Sequence, residues 1–154
     1  MPETNPARIL VVDDEPGIRE VMRSALERLR TPTRVDVAAS GEEASALLDA
    51  AAYDLVVSDY RMGAMSGADL LERVHARTPR TLRVLVTAHG EADVAIEAVN
   101  RGHVHAFLQK PWALADLLQR LDALLERRRA HEAERLRRAR ELARAVGNPI
   151  APSR

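Results

Sequence analysis

Apolar residues fall along this chain in two alternating rhythms. Arg8-Ile9-Leu10-Val11-Val12, Leu55-Val56-Val57, Leu82 to Val86 and Val104 to Leu108 are short apolar-rich runs, the pattern of strands covered on both faces by helices. Arg34 to Ala38 reads as a further strand, second in chain order. Between these runs the apolar positions recur at helical spacing. Val21, Met22, Ala25, Leu26 and Leu29 follow Pro16, which suits a first helical turn. Ala44, Leu47 and Leu48 follow Ser40 and Glu43, spaced as a capping box. Leu70, Leu71 and Val74 follow a second capped start at Ser66 and Asp69. Val94, Ile96 and Val99 mark a shorter, weaker helix that stops near Gly102. Strand and helix alternate five times, which predicts an α/β fold with a five-stranded parallel sheet between helices.

The last helix departs from this rhythm. No Pro or Gly occurs from Leu114 to Val146, so roughly 33 residues can form one helix ~50 Å long. Leu117, Leu118, Leu121, Leu124 and Leu125 give its first half an apolar face, which thins beyond Leu125 to alanines with Leu136, Leu142 and Val146. Glu126, Glu132, Glu134 and Glu141 each have Arg three residues on, at 129, 135, 137 and 144, a spacing that supports an exposed helix weakly. Gly147-Asn148-Pro149 stops it. The expected organisation is a disordered start (1–6), one domain (7–127), a helical extension serving as coiled coil or linker (128–146) and a flexible tail (147–154).

Composition narrows the classes. The absence of cysteine excludes disulfides and thiolate metal sites. Residues 1–6 lack a secretory pattern and no apolar run approaches membrane-spanning length, so the expected location is cytoplasmic, with no membrane partner. Net charge is zero but unevenly spread: Glu126 to Arg144 holds eight Arg against four Glu, while residues 1–125 carry −5. The basic helix lacks aromatic interleaving and a helix-turn-helix pattern, so no nucleic acid is expected as partner. The five histidines form no helical pair with zinc spacing. Lys110 is the only lysine, a compact, mobile ammonium in a chain that otherwise uses arginine.

The chemistry gathers at strand ends. Asp13 and Asp14, Asp59, Thr87 and Lys110 each close a predicted strand, and in a parallel sheet these ends share one edge, where ligands of open α/β sheets sit. Three carboxylates at close range repel strongly. Lys110 supplies one compensating charge, and a hard cation bound by oxygens supplies more, with Mg2+ the best fit. A carboxylate beside Mg2+ is a competent nucleophile toward a phosphoryl group, and Thr87 and Lys110 suit the clamping of its oxygens. No glycine loop of the phosphate-cradling type is present, which argues against a nucleotide as direct donor.

The segments Ile9 to Glu15, Asp54 to Met62, Val84 to Gly90 and Phe107 to Trp112 closely resemble the receiver domain of two-component response regulators over about residues 7–127. The resemblance implies a flavodoxin-like (βα)5 fold. It implies that Asp59 accepts a phosphoryl group from a histidine kinase or phosphotransfer protein, and that Asp13, Asp14, Asp59 and the Arg61 backbone carbonyl hold Mg2+. It further implies that Thr87 and Lys110 contact the phosphoryl group, that Phe107 is an aromatic switch coupled to Thr87, and that the Lys110–Pro111 bond is cis. Met62-Gly63 stands where family members usually have Met-Pro. Arg61 and His89, two residues beyond Asp59 and Thr87, border the path of the hydrolytic water in such proteins, and the expectation is that their bulk lengthens the phosphate's lifetime.

The expected output is protein–protein interaction, including a weak homodimer through the last helix. The alternative is the amino-terminal module of a longer regulator with an enzymatic or DNA-binding output. A magnesium-dependent phosphatase of similar fold is the remote third reading, disfavoured because Arg61 occupies the position where such enzymes want a general acid.

Overall fold

The structure, a computed structural model, describes residues 5–88 and 90–147. Five strands alternate with five helices: β1 (Ala7–Val12), α1 (Pro16–Leu26), β2 (Thr33–Ala38), α2 (Gly41–Ala50), β3 (Leu55–Asp59), α3 (Gly67–Arg77), β4 (Leu82–Thr87), α4 (Ala92–Gly102), β5 (Ala106–Gln109) and α5 (Leu114–Ala145). All strand pairs are parallel, in the order β2-β1-β3-β4-β5. This is the α/β, flavodoxin-like architecture that the alternation and the resemblance imply. β5 starts two residues later than the apolar run suggests, although His105 N already donates to the Arg83 carbonyl of β4 (2.9 Å).

Alternation within each strand divides the core. Ile9, Val11, Leu55, Val57, Val84 and Val86 face α1 and α5, which contribute Met22, Leu26, Leu117 and Leu121. Leu10, Val12, Val56 and Leu85 face the other layer, with Ala44 of α2, Leu70, Leu71 and Val74 of α3 and Ala98 of α4. Each fully buried leucine contributes about 1.5–3 kcal/mol, so both layers clamp the sheet and fix where its strands end.

Local signals set the helix starts. Ser66 and Asp69 form a complete capping box, Asp69 N donating to Ser66 Oγ and Ser66 N to Asp69 Oδ2. The box expected at α2 forms only in half. Glu43 N donates to Ser40 Oγ, but the Glu43 carboxylate accepts from Ala39 N, one residue further back.

α5 is continuous for 32 residues. Its first half is buried at Leu117, Leu121 and Leu125, whereas Leu136, Leu142 and Val146 are exposed. Of the four expected Glu-to-Arg pairs, only Glu134–Arg137 lies within ion-pair distance among the described residues. The acids at 132 and 141 pair one turn back instead, with Arg128 and Arg137, and Arg138 reaches Glu134. A guanidinium spans four residues as readily as three, and Arg128 is already drawn toward the domain by Asp54. The expected start (1–6) and tail (147–154), but for residues 5, 6 and 147, lie outside the described residues, as does His89. No helix among the described residues is long and apolar enough to cross a membrane.

Candidate functional site

The sheet register brings the candidate residues to one edge. Val12 is level with Ser58, Asp59 with Val86, and Thr87 with Gln109. Backbone bonds continue the ladder just past the strands: Asp13 N donates to Ala38 O (3.1 Å), Tyr60 N to Val86 O (2.9 Å) and Lys110 N to Thr87 O (2.8 Å). Each functional side chain therefore leaves a backbone held on at least one side. The Lys110–Pro111 peptide bond is cis.

Asp13, Asp14 and Asp59 each offer a carboxylate oxygen within 4.8 Å of the others. Asp13 is buried and Asp14 exposed, with Asp59 between the two. Lys110 Nζ stands 3.6 Å from Asp59 Oδ1 and 3.8 Å from Asp13 Oδ2. Both separations exceed a direct hydrogen bond, so the ammonium serves two carboxylates without closing on either. Asp13 Oδ1 also accepts from Glu15 N (2.9 Å), and Arg19 Nη1 donates to the Asp13 carbonyl (2.7 Å). Thr87 is buried at the end of β4, while Phe107 on β5 is 44% exposed.

The electrostatics are unbalanced. Burial pushes the Asp59 carboxyl up to about 6; Lys110 opposes the rise and Asp13 adds to it. Asp13 is raised for the same first reason, against the Glu15 amide and Lys110. Desolvation outweighs the single ammonium at both acids. A divalent cation suits this donor set: hard oxygens from three carboxylates, in excess over the local positive charge.

Arg61 is ion-paired with none of these carboxylates. Its side chain is 76% exposed and its Nε is ion-paired with Glu91, whose own side chain is only 10% exposed. Glu91 also accepts from Ala88 N (3.0 Å). One carboxylate thus ties the segment after β3 to the segment after β4. Sequence reasoning missed Glu91, which reads there as one more solvated acid near a helix start. It also missed Gly67, where an added Cβ would lie 2.1 Å from the Asp59 carbonyl oxygen. Only glycine lets α3 start against the backbone of the acid-bearing strand; its sequence signal is its place just inside the Ser66 cap.

A family profile described as the response regulator receiver domain matches residues 9–122. The response regulator protein PilR of Pseudomonas aeruginosa is 39% identical over 127 residues, covering 82% of this chain and 28% of PilR. The C4-dicarboxylate transport transcriptional regulatory protein DctD of Rhizobium meliloti is 35% identical over 143 residues, covering 92% of this chain and 30% of DctD. The chain thus spans under a third of the length of these curated relatives. Among solved structures, the signal receiver domain of an HD domain-containing protein from Pseudomonas fluorescens Pf-5 aligns with a TM-score of 0.76 at 31% identity, over 82% of this chain and 99% of that one.

Proposed function

The chain belongs to the response regulator receiver family, and from that premise we propose that it is a phosphorylation-operated switch with Asp59 as the phosphoacceptor. The observation that carries this reading is the convergence of three carboxylates and the chain's one lysine on the carboxyl edge of the sheet. An Asp59 oxygen attacks phosphorus, the bond to the donor's imidazole nitrogen breaks, and the leaving imidazole keeps the electron pair. The donor class is the histidine kinase or phosphotransfer protein with which receivers of this family work. Lys110, already within 4 Å of Asp59, neutralises the phosphoryl oxygens, and Thr87 donates its hydroxyl to one of them.

Asp13, Asp14, Asp59 and the Arg61 carbonyl would hold Mg2+. Bound there, the ion offsets the carboxylate repulsion and the charge of the incoming group. Turnover is not part of the proposal: the protein is a switch, with self-phosphorylation from small donors and slow hydrolysis at most. A phosphatase would need a proton donor where Arg61 stands, and that guanidinium is tied to Glu91.

Movement of Thr87 toward the phosphoryl group vacates space into which Phe107, now exposed, turns. The surface of α4, β5 and α5 changes with it, a bias on a pre-existing equilibrium. Signalling then runs through protein contacts, with α5 beyond Leu125 offering a seam for a second copy. The length of PilR and DctD beyond the matched region favours a second reading, in which this chain is the receiver module of a longer regulator and the same helix is the linker.

Acetyl phosphate with Mg2+ tests the reading. Intact-mass spectrometry is expected to show one added phosphoryl group on the wild type and none on Asp59→Asn, and light scattering a rise in solution mass on phosphorylation. Labelling of Asp59→Asn at the wild-type rate would remove the phosphoacceptor assignment. Arg61→Ala is expected to lose phosphate faster than the wild type; an equal rate removes the lifetime role given to Arg61, and His89→Ala poses the same question of its partner position.

A further inference from the structure

At the edge of the sheet opposite the carboxylate cluster, a cavity of about 310 Å³ opens where α5 leaves the domain. That volume lies at the lower end of the range for small-ligand sites, about 300–1,000 Å³. Three stretches distant in sequence wall it: the approach to β4, the approach to β5 at His105, and α5 from Leu124 to Arg135. Pro79, Leu82 and Leu124 supply apolar surface. The charged lining is four arginines against one carboxylate, Glu132.

That carboxylate is already engaged. Arg128 Nη2 lies 3.1 Å from Glu132 Oε1, its Nη1 lies 2.7 Å from Asp54 Oδ1, and its Nε donates to the Arg80 carbonyl. Arg128 is thereby fixed and neutralised as a strut between α5 and the domain. No carboxylate among the described residues lies within ion-pair distance of Arg80, Arg127 or Arg135. One turn further out, Arg137 and Arg138 are both paired with Glu134. Three guanidiniums therefore share one concave, partly apolar space with no counter-charge of their own. Guanidinium is the group whose planar fork matches phosphate oxygens two at a time. Arg80 belongs to the domain, Arg127 and Arg135 to the helix.

We propose that this cavity binds a small phosphorylated ligand with an apolar body, of nucleotide chemistry, its phosphates on Arg80, Arg127 and Arg135 and its body against Pro79, Leu82 and Leu124. The occupant ties the projecting half of α5 to the domain at its root. The site is remote from Asp59 and independent of its phosphorylation chemistry.

Isothermal titration of the full chain with ATP in EDTA, which silences the carboxylate cluster's metal chemistry, tests the site. The expected result is one saturable site with Kd below about 1 mM. Arg127→Gln/Arg135→Gln weakens it at least tenfold, Arg137→Gln/Arg138→Gln leaves it unchanged, and inorganic pyrophosphate, which lacks an apolar body, binds at least tenfold more weakly than ATP. Absence of saturable heat overturns the proposal. So does an equal loss in the Arg137/Arg138 control, or pyrophosphate binding as tightly as ATP. Labelling of Arg127→Gln/Arg135→Gln by acetyl phosphate at the wild-type rate shows the fold intact and separates failure here from failure of the phosphoacceptor reading.

Discussion

The strand-end pocket and the projecting half of α5 are both crowded with charge, yet they handle it in opposite ways. In the pocket, like charges are concentrated where burial makes them costly. Asp13 and Asp59 are withdrawn from water beside Asp14, and one ammonium at 3.6–3.8 Å does not hold either acid at its ordinary pKa. Along the helix, opposite charges sit in water at three- and four-residue spacing, as in Glu134 with Arg137 and Arg138. There each acid and base lowers the other's cost, and solvent screens the remainder. An arrangement that stays unbalanced in a half-buried place is one that a bound cation would complete. Pairs that balance each other on the surface make sense as a way to keep a helix soluble away from its domain.

The contrast can be broken first at the helix itself. Leu121→Ala, at a fully buried position, is expected to cost about 2–5 kcal/mol in denaturant unfolding. Leu142→Ala, 67% exposed, should change domain stability by less than about 0.5 kcal/mol and act instead on association, read by light scattering. Comparable losses in both would mean that the outer half also packs on the domain.

In the pocket the sign runs the other way. Because the folded-state pKa of Asp59 is raised from 3.8 to about 6, the folded chain holds this proton more tightly than the unfolded chain. The stability it contributes is present below about pH 4 and lost as pH rises through about 6. Asp59→Asn removes that loss, so without Mg2+ the variant is expected to be more stable than the wild type by about 1–3 kcal/mol at pH 7. The gap should close toward pH 4, measured as paired urea titrations across that window.

Magnesium sharpens the same point. At ten times its Kd it should stabilise the wild type by about 1.4 kcal/mol at pH 7.5. The effect should fade as pH falls below about 6, where protons compete for Asp59, and shrink in Asp59→Asn; thermal melts with and without the ion read both. Smallest is Glu134→Gln on the exposed helix, expected to leave Tm unchanged within error at 0.15 M salt. A clear drop in Tm would make those surface pairs part of a cooperative unit.

Much of this was legible along the chain, because periodicity and strand-end position are local properties. The apolar runs and helical repeats determined a five-stranded parallel α/β sheet, and that alone sends Asp13, Asp59, Thr87 and Lys110 to one edge. The lone lysine and the paired aspartates then pointed to phosphoryl chemistry. The sequence also determined the length of α5, since no helix breaker interrupts it. What it could not carry were contacts made across the fold. Arg83 falls within an apolar run, yet it is buried because the carbonyls of Pro79, Thr81 and His103 accept its guanidinium hydrogens. Glu91 reads as a surface acid until it is seen joining Arg61 to Ala88. Gly67 reads as an ordinary first-turn residue behind the Ser66 cap until the Asp59 carbonyl is seen to occupy the place of its Cβ. Nor does spacing reveal a partner across the fold: Arg128 pairs with Asp54, 74 residues away, as well as with Glu132 one turn on. Sequence pattern determined which residues meet at the edge; tertiary packing alone decided how far each is buried, and burial is what raises Asp59 and leaves the pocket short of positive charge.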